Sequence, residues 1–101
     1  MTYRTTDNQR TGPQEDFGSI PAAPPTPGDL HAIPSLTPRE RQVLTLLGYA
    51  ADNREISRRL GIAERTVKAH LTNLMTKIKV SSRTEAALYA YAHHGSLTDR
   101  P

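Results

Sequence analysis

The chain has 101 residues, of which 36% are hydrophobic and 23% charged, and it contains no cysteine. That length has room for one small domain, and a disulfide framework, a thiolate-metal site and a membrane span are all excluded, the last because no stretch approaches the ~18 consecutive apolar residues a spanning helix needs. The net charge of +3 divides unevenly: residues 1–35 carry two arginines against four acids, and residues 36–101 carry eleven Lys or Arg against six acids, which points to a polyanionic partner for the basic C-terminal part.

The first 35 residues hold six of the eight prolines and only nine apolar residues. Too little apolar surface is available there to offset the entropy of ordering, so 1–35 reads as a disordered Pro-rich tail, with Pro21-Ala22-Ala23-Pro24-Pro25-Thr26-Pro27 favouring extended polyproline conformations. Helices follow. Thr37-Pro38-Arg39-Glu40 is an N-cap, a proline at the first helical position and a glutamate three residues on, and Val43, Leu44, Leu47 and Ala51 then recur at helical spacing with Leu46 beside them. Asp52-Asn53-Arg54-Glu55 opens a second helix of about two turns, which Gly61 ends as a left-handed cap. A third spans about 64–77, with Val67, Leu71, Leu74 and Ile78 in one arc. Ser82-Arg83-Thr84-Glu85 starts a fourth, running to about His94 with Gly95 as its stop, and 97–101 reads as a short flexible C-terminus.

These elements predict an all-α bundle in which the second and third helices, about 53–72, make a helix-turn-helix. The outer face of the third helix carries Arg65, Ala69, Thr72, Asn73 and Thr76 with Lys68 on its flank. Small residues there let a backbone approach base edges in the ~12 Å major groove while Arg65 and Lys68 reach guanine or phosphate. Arg54, Arg58 and Arg59 on the second helix suit backbone phosphates.

The blocks Leu36-Thr37-Pro38-Arg39-Glu40-Arg41-Gln42-Val43-Leu44, Asn53-Arg54-Glu55-Ile56-Ser57, Leu60-Gly61-Ile62, Thr66-Val67-Lys68-Ala69-His70 and Ser82-Arg83-Thr84-Glu85-Ala86 resemble, in order and spacing over about 36–92, the LuxR-type (LuxR/GerE) helix-turn-helix domain of bacterial transcription regulators. The resemblance implies a four-helix domain over 36–96, with the third helix reading duplex DNA and the fourth pairing two copies. It implies base-facing roles for Arg65, Lys68, Ala69 and Thr72, and phosphate contacts at Asn53 and Thr66 beside those of Arg54 and Arg58. Leu88, Tyr89 and Tyr91 become candidates for a homodimer interface, and RNA polymerase or a second regulator becomes a possible further partner.

Three positions depart from the family pattern. Ala50 stands where relatives favour glycine, with Gly48 nearby to shift the helix end; Ala63 stands where they favour a serine cap, costing on the order of 1 kcal/mol; and Lys79 stands where they favour glycine, a left-handed position costing roughly 1–2 kcal/mol. Marginal stability that rises on dimerisation or DNA binding is the expectation.

The four histidines, His31, His70, His93 and His94, have no cysteine or carboxylate cluster to join as metal ligands, and no phosphate loop, nucleophile elbow or carboxylate pair appears. No cofactor, metal or enzymatic activity is expected. Two alternatives stay open: a sigma-region-4-like module, which shares the Leu-Thr-Pro-Arg-Glu-Arg opening but lacks the Ser82-to-Ala86 helix start, and a protein-interaction adaptor that keeps the fold without DNA affinity. The length leaves no room for a receiver or ligand-sensing domain in this chain, and the expected setting is the bacterial cytoplasm, at the nucleoid when bound.

Overall fold

Helix starts and stops written into the sequence set the architecture of residues 25–98, which the computed structural model describes; the expected disorder of residues 1–24 and the last three residues lie outside that range. Helix α1 (Pro38–Gly48) opens on a complete capping box. The Glu40 amide donates to Thr37 Oγ1 at 3.1 Å and the Thr37 amide donates to Glu40 Oε1 at 2.9 Å. Helix α2 (Asn53–Leu60) is capped by Asp52 and ends at Gly61, whose φ of 67° is left-handed. Helix α3 (Glu64–Ile78) starts at Ala63 with no side-chain cap. Helix α4 (Arg83–Ala92) has the Ser82 half of a box, while the Glu85 carboxylate accepts from the Ser81 amide instead of the cap's own.

The core lies where the apolar periods place it. Val43, Leu44, Leu47, Ile56, Val67, Leu74, Ile78, Ala86, Tyr89 and Ala90 are at most 2% exposed. Helix α1 is central, packing against α3 on one side and α4 on another, and α2 lies on α3. The α1–α4 approach is close at Gly48, where a Cβ would come within 2.9 Å of the Ala90 methyl.

Both ends of the domain differ from the sequence expectation. Leu30–Ser35, read as tail, is a 3-10 turn that docks Ile33 into the core, 6% exposed. The Asp29 amide donates to the Ile78 carbonyl at 2.8 Å, Tyr89 Oη donates to the Asp29 carbonyl at 2.8 Å, and Lys77 Nζ reaches the Ser35 carbonyl at 3.2 Å. Gly28 makes this strap possible. Its φ is 87°, and a Cβ there would fall 2.7 Å from both the Ile78 oxygen and the Tyr89 ring. Leu30, Ile33 and Leu36 recur every three residues, the period of a 3-10 turn, but over a single short stretch beside a Pro-rich segment whose composition reads as tail.

At the other end Gly95 is no stop: His93 caps α4, and a fifth short helix, α5 (His94–Thr98), follows. Burial of Leu97, 5% exposed, offsets the roughly 1 kcal/mol that a glycine costs inside a helix. The two adjacent histidines part company there, His93 edge-on to the Tyr89 ring and His94 to the Tyr49 ring, with the Tyr49 hydroxyl 2.7 Å from His94 Nε2.

Candidate nucleic-acid interface

The turn between α2 and α3 is fixed largely by one residue. Ser57 accepts with its carbonyl from the amides of Gly61 (2.9 Å) and Ile62 (3.2 Å), and its hydroxyl donates to the Ile62 carbonyl at 2.5 Å. Three bonds to one serine hold the angle at which α3 leaves α2, and the apolar arc Val67, Leu71, Leu74 and Ile78 turns inward. The opposite arc is then presented outward: Arg65, Lys68, Ala69, Thr72, Asn73 and Thr76 are all exposed.

These side chains offer different things to a groove. Neither Arg65 nor Lys68 is in an ion pair among the described residues, so both cations are available without breaking a contact. Ala69 offers a methyl. Thr72 Oγ1 donates to the Lys68 carbonyl at 3.1 Å, and Thr76 Oγ1 likewise to Thr72 at 3.1 Å. Each hydroxyl has thus spent its hydrogen on the helix and turns lone pairs outward as an acceptor.

The flanking cations are held differently. Arg54 is exposed and Thr66 half-buried at the start of α3. Arg58 is ion-paired with Glu55, and Arg59 Nε lies 2.5 Å from the other oxygen of the same carboxylate. The Arg59 hydrogen bond is the main reason the Glu55 carboxyl titrates below its ordinary range. An exposed pair of this kind contributes little, so a phosphate can displace Glu55 from Arg58 at small cost. Asn53 accepts on Oδ1 from Arg83 Nη1 at 2.6 Å. In the sequence Arg83 stands out only as part of a helix start; its contact spans 30 residues of chain and leaves no local signal.

Of the three interface candidates on α4, the structure removes one. Tyr89 is fully buried, its ring in the core and its hydroxyl on the Asp29 carbonyl, so it has no surface to offer a second copy; burial also pushes its phenol pKa up. Leu88 and Tyr91 are 54% and 78% exposed, one turn apart on the outer side of α4.

A short helix, a left-handed glycine turn and a second helix with a buried arc and an exposed acid-free arc define the helix-turn-helix class of domain. The family described as "Bacterial regulatory proteins, luxR family" matches residues 34–90, more than half of the chain, and the chain belongs to that family, one of transcription regulators and not of enzymes. It is similar to the transcriptional regulatory protein LiaR of Bacillus subtilis, 46% identical over 66 residues, covering 63% of this chain and 31% of the relative. It is also similar to the nitrate/nitrite response regulator protein NarL of Escherichia coli, 44% identical over 59 residues, 58% of this chain and 27% of the relative. The response regulator protein VraR of Staphylococcus aureus is 39% identical over 59 residues, 58% of this chain and 28% of the relative. The chain thus spans less than a third of the length of each of these relatives. No described helix is long and apolar enough to cross a membrane.

Proposed function

We propose that this chain is a bacterial transcription regulator that binds duplex DNA by laying α3 in the major groove, working in the cytoplasm as a homodimer on two related half-sites. The observation that carries the reading is the outer arc of α3, where two cations without an ion pair among the described residues lie beside small residues and no acid intervenes after Glu64. In this reading Arg65 and Lys68 donate to base or phosphate oxygens, Ala69 packs on a thymine methyl, and Thr72 accepts from the amino group of adenine or cytosine. Asn53, Arg54, Arg58 and Thr66 contact phosphates on either side. Leu88 and Tyr91 supply the apolar patch through which two copies meet.

The test is binding to a duplex selected from a random pool, measured over a range of salt. Affinity should fall steeply as salt rises, with a slope of about −0.9 per phosphate neutralised. Arg65→Ala and Lys68→Ala should each cost about 1–3 kcal/mol and relax preference at one base pair. If both variants bind the selected duplex as tightly as the parent, α3 is not the reading element. Leu88→Asp combined with Tyr91→Ala should weaken binding to paired half-sites while leaving a single half-site unaffected; equal losses on both would remove α4 from the interface.

A further inference from the structure

We propose that Arg83 is a positioning residue for the DNA backbone: it holds Asn53 so that the amide nitrogen, and not the amide oxygen, faces a phosphate. The inference rests on the DNA-binding reading above. Asn53 is the first residue of α2 and Arg83 the first of α4. One guanidinium bridges the two elements, with Nη1 donating to Asn53 Oδ1 at 2.6 Å and Nη2 donating to the Ala51 carbonyl at 3.0 Å. Guanidinium has donors and no acceptor, so the amide atom beside it has to be the oxygen. With that oxygen taken, the two N–H bonds of Nδ2 point the other way, and among the described residues nothing accepts from them.

The second contact gives the arrangement its stiffness. Ala51 follows Ala50, whose φ of 65° is the left-handed conformation glycine would adopt freely. The Arg83 bond to the Ala51 carbonyl ties that turn to α4 just before α2 begins. Asn53 is itself half-buried, which limits the rotamers its amide can sample. The outcome is an outward pair of neutral donors backed by a fixed positive charge, which suits an anionic oxygen and repels a cation. Without Arg83 the Asn53 amide would be free to turn either atom outward before contact and would lose that freedom on meeting a phosphate, which accepts only from the nitrogen.

Four variants test this against a mixed-sequence duplex, with Kd read by fluorescence anisotropy and folding by thermal melting. Arg83→Ala and Asn53→Ala should each weaken binding about tenfold, and the double variant should bind no more than about twofold weaker than either single one, because both remove the same contact. Asn53→Asp is the discriminating change. Its carboxylate keeps the Arg83 bond, so melting should not fall, yet it turns an oxygen toward the phosphate, and binding should drop below that of Asn53→Ala. Losses that multiply in the double variant, or an Asn53→Asp chain that binds like the parent, overturn the proposal. So does Arg83→Ala with unimpaired affinity when the parent binds in a salt-sensitive way. A parent with no salt-sensitive binding overturns the DNA-binding reading and this inference with it.

Discussion

Among the described residues Glu40 is the one charged residue in the core, 4% exposed. Its carboxylate accepts from the Thr37 amide and from Lys77 Nζ at 2.8 Å, so it joins the start of α1 to the end of α3. Burial alone would raise its pKa, but the Lys77 and Thr37 bonds outweigh it and hold the carboxyl below its ordinary value. A carboxyl with a lowered folded pKa contributes stability that is fully present above the unfolded value of about 4.3 and is lost as pH falls through the folded one. Urea denaturation across that range should therefore show the parent exceeding Glu40→Gln at neutral pH, with the gap closing in acid. An unchanging gap would mean that the ion pair contributes nothing. Gly28 is a residue of the opposite kind, defined by the atoms it lacks. Gly28→Ala meets both an unfavourable φ and three contacts inside 3 Å, and a loss of about 2–4 kcal/mol in the same assay is expected.

At the scale of elements, α3 is the helix whose place in the fold was most legible and whose ends are least favourable. Val67, Leu71, Leu74 and Ile78 share an arc because helical geometry leaves them no other choice, so the inward register, and by subtraction the outward face of Arg65, Lys68, Ala69 and Thr72, followed from spacing alone. The ends are a different matter. Ala63 makes no side-chain cap and Lys79 sits at φ 61°, as the departures from the family pattern implied. Ala63→Ser should stabilise the domain by about 1 kcal/mol. Lys79→Gly should add about 0.5–1 kcal/mol by relieving the left-handed strain. Both gains should appear as a higher urea midpoint with no change in slope, and a lower midpoint in either variant would contradict the cap geometry. On α4, Tyr89 and Tyr91 are two residues apart and so lie on different sides of the helix; Tyr89 goes inside with Ala86 and Ala90, and its hydroxyl meets the Asp29 carbonyl, 60 residues upstream. Periodicity holds no information about a partner that far away. The Arg83–Asn53 pair, 30 residues apart, leaves no periodic signal either.

For the molecule as a whole, the family match begins at residue 34, yet the packing begins at Gly28. A chain starting at Leu36 loses the burial of Ile33, worth about 1.5–3 kcal/mol, together with the bonds to Ile78, Tyr89 and Lys77. Against a chain starting at Pro25, it should melt lower and unfold at lower urea, and equal stability of the two would show the strap to be energetically idle. The strap also has a mechanical meaning. It meets α3 at Ile78, the last residue of the helix proposed to lie in the groove. A displacement of the chain at Gly28 therefore reaches, through the single bond from the Asp29 amide to the Ile78 carbonyl, the C-terminal end of the helix proposed to lie in the groove.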